Sequence, residues 1–489
     1  MEKQKVNSSF SSKVFRNGAY SAAVTVIVIA VLIVVNLLVT SLHVSWDISG
    51  SGLFTLSSET KEFLSTLEDD IDIYYLGQEG AEDETIKRMV DLFDKANSHI
   101  TVTLKDPTLY PDFIKQYVDT TTTRVSANSL IVVNEKLNRS KYVSTNNMLK
   151  YTSSSTNSYG YELSGYDVEG QVASAIQYVT KTELPKIYTI TGHGESAFSS
   201  TIQDYVSKQN IDSEELNLIN ASEIPEDAKV LILNAPVTDL NDMELELLIN
   251  YLRNGGKMMI FATYTSERMP NFDALLEEYG MRVVDGMLIE TNSSMTVNGI
   301  SYFISPSTLD ATMLEDYDAS KPVALAYAVG LANDVDVRSS VTTFPLLMTS
   351  SGAFSKMDMS SATFDKSEGD LDGPFYVGMA ATETYNNKIT GLVVFGSPAL
   401  VSGISMYGGA LDFSAYSTLG NVDMFSTMLK WMIGDTTTSS LYIPAKTFTQ
   451  EYLMMSSQVQ NVLALATIVV IPLIFIVIGV IVFIRRRRL

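Results

Sequence analysis

Apolar positions along the 489-residue chain fall into distinct patterns. Two runs, 19–42 and 461–484, are unbroken and free of charge, each long enough to cross a bilayer as a helix. Shorter runs at 71–76, 187–190, 230–233, 257–262 and 391–395 are bounded by turn residues such as Gly, Asn and Pro, as strands buried in a sheet are. Helical spacing fills the intervals. Residues 84–97 place Ile86, Met89, Val90 and Phe93 on one face, and 167–180 do so with Val168, Val172, Ala175, Ile176 and Val179. Residues 239–252 repeat the pattern through Leu245, Leu248, Ile249 and Leu252. Strands alternating with helices of this length build right-handed βαβ units.

The expected fold class is therefore α/β, flanked by two transmembrane helices. Residues 43–150 read β-α-β-α-β-β, a small thioredoxin-like domain, and 151–165 are a polar linker. A doubly wound, Rossmann/flavodoxin-like parallel-sheet domain starts at 166–290 and resumes at 389–435. The Ser-, Thr-, Asp- and Met-rich stretch between, 291–388, reads as an irregular insertion with several short strands, folding as an appendage. Residues 436–460 are a juxtamembrane connector.

Charge sets the expected topology. Lys3, Lys5, Lys13 and Arg16 precede the first run within the 1–18 segment, and four arginines lie in the 485–489 tail after the second. Basic flanks stay cytoplasmic, so the chain is expected to pass the plasma membrane twice with both termini inside. The body between the spans is outside and more acidic than the total charge of −22. A cleaved signal peptide is the rival reading of 19–42, but that run is too long and lacks a good small-residue cleavage site. An acidic body argues against nucleic acid as a partner.

Candidate chemistry concentrates at two strand ends. Thr191-Gly192-His193-Gly194-Glu195 and Asn234-Ala235-Pro236 leave neighbouring parallel strands and should lie side by side at one sheet edge, where such folds bind ligands. Candidate ligand-binding residues are Thr191, Gly192, His193, Gly194, Glu195, Asn234 and Pro236. His193 with Glu195 could form a polar binding loop or an acid–base pair. The structural alternative is a tight glycine turn, with His193 bonded to a neighbouring loop and Glu195 capping the next helix. Asp239 is expected to cap helix 239–252.

The chain has no cysteine, which removes thiol redox chemistry, thiolate metal sites and cysteine nucleophiles. His43, His99 and His193 are far apart, so no metal site is expected. No phosphate loop and no Gly-x-Ser-x-Gly elbow occurs. No cofactor and no catalytic residue is assigned.

Several pieces taken in order resemble one family. They are Trp46-Asp47-Ile48, Phe54-Thr55-Leu56-Ser57-Ser58-Glu59-Thr60, Lys105-Asp106-Pro107, Glu169-Gly170 with Ala173-Ser174-Ala175-Ile176, the 191–195 loop, the 234–236 loop with Leu240 to Glu244, Tyr251-Leu252-Arg253-Asn254-Gly255-Gly256, and the stretch from Leu275 to Gly280. With the arginine-rich tail, they are similar to the GldG-type, gliding-motility-associated auxiliary subunits of ABC transporters. That resemblance implies a non-catalytic subunit with an extracytoplasmic domain for substrate interaction or scaffolding. It also implies an ABC permease and a separate ATPase as partners, in the lipid bilayer, with ATP hydrolysed by that other chain. The alternatives are an extracytoplasmic hydrolase or carbohydrate-binding protein using the Gly192-His193-Gly194-Glu195 loop, or an envelope structural protein.

Overall fold

The computed structural model describes residues 20, 24–34, 52–153, 161–181, 184–315, 317–333, 336–360, 363–385, 388–406, 409–434, 443–448, 484 and 485. They belong to two compact units, Met1–Thr55 with Lys446–Leu489, and Leu56–Ala445. In the first unit, residues 24–34 are helical and leave side chains such as Val26, Ile27 and Leu32 exposed. Lys446 Nζ donates to the carbonyl of Gly52 at 2.9 Å and to that of Thr55. Among the described residues, no helix is long and apolar enough to cross a membrane. The rest of 19–42 and nearly all of 461–484 lie outside the described residues.

The second unit holds two main sheets. The first contains β1 (Ile71–Leu76), β2 (Ile100–Lys105), β3 (Ser129–Asn134) and β4 (Arg139–Val143), in the order β2-β1-β3-β4. β1 and β2 run parallel, while β3 is antiparallel to both β1 and β4. Helices α1 (Ser58–Ser65), α2 (Glu84–Ala96) and α3 (Pro111–Tyr117) accompany it. Each helix start follows from local chemistry. Ser57 caps α1, Asp83 accepts from Thr85 and Ile86 N–H to cap α2, and Pro111 opens α3. All six residues of β3 are buried.

Helix α4 (Val168–Thr180) is buried on nearly every side, including Glu169, Ser174 and Gln177. It packs on β3 and β4 and also touches α2 and α5 (Ser200–Lys208), so it links the first sheet to the helix layer of the second domain. At its start a Cβ on Gly170 would sit 2.6 Å from Asp167 Oδ1 and from the Ile443 carbonyl, a closeness only glycine permits. Buried Asp167 pairs with Lys208 at 2.7 Å, and Lys208 with Asp204 at 3.0 Å. The polar stretch expected as a linker, 151–165, is different. Its described ends, in strands Leu149–Ser153 and Tyr161–Tyr166, pair antiparallel.

In the second sheet five strands run parallel: β5 (Lys186–Thr191), β6 (Asp212–Asn217), β7 (Ala228–Asn234), β8 (Lys257–Phe261) and, after a long excursion, β11 (Lys388–Phe395). Their order is β6-β5-β7-β8-β11. Side chains alternate across it. Ile187, Val230, Ile232, Met259 and Val393 face one core, which Met424, Phe425, Met428 and Leu429 of α8 (Asn421–Ile433) share. Tyr188, Leu231, Leu233, Met258, Ile260 and Leu392 face the other, with Leu248 and Leu252 of α6 (Asp242–Arg253) and Phe272, Leu275 and Leu276 of α7 (Pro270–Glu277). Helices thus cover both faces.

The stretch 291–388 is less irregular than its composition implies. β9 (Val341–Met348) and β10 (Tyr376–Tyr385) pair antiparallel, and β10 pairs antiparallel with β11, so they widen the main sheet. Pro345 falls where the β9 register shifts, a place at which a missing N–H is tolerated.

Candidate functional site

The chain leaves β5 and β7 at the point where the strand order reverses direction, the position at which parallel sheets open a crevice. The structure brings all seven candidate residues there, and the two loops bond to each other. The His193 carbonyl accepts from Val237 N at 2.9 Å and Thr238 N at 3.1 Å. Ser196 N donates to the Asn234 carbonyl at 2.8 Å, and Asn234 Nδ2 donates to Ser196 O at 2.6 Å and Ser402 Oγ at 2.9 Å. Ser402 Oγ in turn donates to Ala197 O at 2.9 Å. Pro236 is buried behind them.

His193 is the pivot, with 3 % of its surface exposed. Its Nδ1 lies 3.0 Å from Glu195 Oε1, and its Nε2 lies 3.0 Å from Glu244 Oε2. Glu195 Oε2 also accepts from the His193 backbone N at 2.8 Å. Each ring nitrogen thus faces a carboxylate oxygen at hydrogen-bond distance. Glu195 therefore folds back on its own loop, and Ser199 is the cap of α5. That corrects the expectation that Glu195 caps the helix.

The cap of α6 also differs from expectation. Asn241 accepts from Met243 and Glu244 N–H, and Glu244 Oε2 accepts from Asn241 N at 2.8 Å, a reciprocal capping box. Asp239 instead receives Asn271 N at 3.0 Å and Phe272 N at 2.9 Å, at the start of α7. Asn241-Asp242-Met243-Glu244 carries the capping-box spacing, so the signal was present in the sequence. Glu244 thus serves two partners: the helix start and His193.

The glycines of the loop are matched to their own chain. Gly194 has φ +78°, and a Cβ there would come 2.5 Å from Val237 Cγ2. Gly192 has φ +126°, and its Cβ would meet Ile219 at 3.0 Å. Both conformations favour glycine, and the space beside each is filled by a side chain. With both ring nitrogens engaged and the imidazole buried, His193 has no lone pair directed at an outside molecule. A general base must come within hydrogen-bond reach of the proton it takes. Among the described residues no group of His, Asp and Glu is placed to hold a metal ion.

An opening of about 240 Å³ follows β8 at the same sheet edge, between the Thr263–Met269 loop, Phe272, Asp273 and Asp285. Burial pushes the Asp273 carboxyl above its ordinary range, opposed by Arg268.

Residues 184–299, which contain both loops, match a family model. That model describes an ABC-type uncharacterized transport system. The match supports an ABC-transporter auxiliary family and a transport-associated, auxiliary role. Residues 50–147, the first sheet and its helices, match a separate domain model of unknown function. A comparison with curated proteins finds no match.

Solved structures similar to this chain include the "mmIFT52 N-terminal domain", at 16 % identity over 53 % of this chain and 100 % of that one, with a TM-score of 0.36. A putative ThuA-like protein from Bacteroides uniformis ATCC 8492 aligns at 12 % identity over 52 % and 93 %, with a TM-score of 0.29. A glutamine amidotransferase from Thermotoga maritima aligns at 9 % identity over 51 % and 99 %, with a TM-score of 0.30.

Proposed function

We propose that this chain is a non-catalytic, membrane-anchored auxiliary subunit of an ABC transport system, of the GldG type. Its acidic α/β body is extracytoplasmic, and its partners are an ABC permease and a separate ATPase subunit. The observation that carries the reading is the family match over residues 184–299. The site geometry supports its non-catalytic character, because His193 spends both nitrogens on Glu195 and Glu244. The strand order β2-β1-β3-β4 supports a thioredoxin-like first domain, and β6-β5-β7-β8-β11 supports a flavodoxin-like second one. The apolar, charge-free runs 19–42 and 461–484 with their basic flanks support the two spans and the placement of the body outside.

Purification of the tagged full-length chain from detergent-solubilised membranes tests this reading. An ATP-binding subunit and a multispan permease are expected to co-purify in fixed proportion. Recovery of the chain alone, or steady ATP turnover by it in isolation, overturns the proposal. Protease treatment of intact cells is expected to digest the body, and protection there would place it on the wrong side.

A further inference from the structure

Lys141 sits on β4, the outer strand of the first sheet, and its side chain crosses α4 to reach the second domain. Its Nζ donates to Ser174 Oγ at 3.3 Å and to Asn210 Oδ1. Asn210, in the left-handed region at φ +55°, is fixed by its own Nδ2 bond to the Ser174 carbonyl at 2.9 Å. Both acceptors are neutral. An ammonium has three protons, and the third has no acceptor among the described residues. The Tyr178 ring lies 5.2 Å away, with Arg139 over it at 4.5 Å.

Beside this ammonium runs a groove of about 860 Å³. Its apolar lining comes from Tyr178, Leu184, Phe198, Val206 and Ile211. The other cation facing it from β5, Lys186, already holds Glu214 at 2.8 Å and Asp227 at 3.1 Å. Burying a charge without a counter-ion is costly, and an ion of opposite sign relieves that cost. The lining as a whole sets Lys141, Lys186 and Lys229 against Asp212 and Asp227, a net of one positive charge, which balances a monoanion. A dianion would carry surplus negative charge into a groove that Asp212 and Asp227 also line.

We propose that this groove binds a small organic carboxylate with an apolar body, the carboxylate on the Lys141 ammonium and the body along Tyr178 and Ile211. The site lies away from the His193 loop and stands independently of the transport reading. Burial with neutral partners also lowers the Lys141 amine to about 8, so part of it is uncharged base just below that pH.

Phenylacetate and its neutral counterpart phenylacetamide serve as probes, titrated calorimetrically into the full-length chain in lipid nanodiscs. Phenylacetate is expected to bind saturably in the millimolar range and the amide about tenfold more weakly, as loss of a charged hydrogen bond implies. Lys141→Met is expected to erase that difference. A second measurement uses the unaltered protein: phenylacetate should slow reductive methylation of Lys141 relative to exposed Lys61, which lies outside the groove. Absence of saturable binding, equal binding of acid and amide, or unchanged Lys141 methylation each overturns the proposal. If Lys141→Met fails to fold, the methylation result decides.

Discussion

His193 Nε2 and Glu244 Oε2 lie 3.0 Å apart, and that bond joins the loop after β5 to the first turn of α6 across 51 positions of sequence. Both side chains are 3 % exposed, so the bond is made away from water. Removing the imidazole leaves two buried carboxylates facing the hole. His193→Ala is expected to cost about 3 kcal/mol or more, as breaking a buried pair does. Denaturant unfolding of the second unit's signal in the full-length chain measures it. A loss below about 1 kcal/mol would show that the ring is dispensable to the fold.

Gly194→Ala meets two obstacles, a positive φ and the Val237 methyl. The expected loss is about 2 kcal/mol, a part of it strain in the left-handed region. Val237 is half exposed, so Val237→Ala alone should change little. Combined with Gly194→Ala, it should recover the collision and leave the strain. Simple additivity of the two single losses would contradict this packing account.

Asn241→Ala and Asp239→Ala should each cost about 1 kcal/mol, the usual worth of a helix cap. Their locations differ. Loss of Asn241 should speed amide exchange in the first turn of α6. Loss of Asp239 should do so at Asn271 and Phe272, where α7 begins. Exchange measured by mass spectrometry distinguishes the two, and an Asp239 effect confined to α6 would reverse the assignment.

Lys141 predicts a pH dependence with a definite sign. Burial lowers its pKa from 10.5 to about 8, so between those values the unfolded chain holds a proton that the folded chain has released. Stability therefore rises with pH across that window, with the slope of one proton. Below about 8 the folded state bears the whole cost of a buried ammonium. The difference in unfolding free energy between wild type and Lys141→Met should grow in favour of the wild type from pH 8 to 10.5. A flat difference would mean that the amine is solvated.

The strands β5, β7, β8 and β11 were legible because each is an apolar run sealed in a sheet, and period alone reveals such runs. The juxtaposition of the 191–195 and 234–236 loops followed from strand order. What joins them did not. Nothing local to His193 announces Glu244, whose carboxylate arrives on another helix, and Ser402 comes from beyond β11. Asp239 has the look of a cap because it precedes a helical pattern, but Asn241 stands two residues nearer and has Glu244 at capping-box spacing. β9 and β10 were hidden by Thr, Gly and Pro, because strands that widen a sheet carry mixed faces. The Lys141 site was illegible for a related reason: Lys141, Ser174 and Asn210 lie on three different elements.

Because α4 packs on the first sheet with one side and on α5 of the second domain with another, neither half of the second unit can be excised cleanly. A fragment ending before residue 168 would expose the apolar underside of β3 and β4. One starting after residue 181 would lose the helix on which α5 rests. Melting should accordingly proceed as one event for both sheets, and a force pulling on either would be felt by its neighbour through that shared rod.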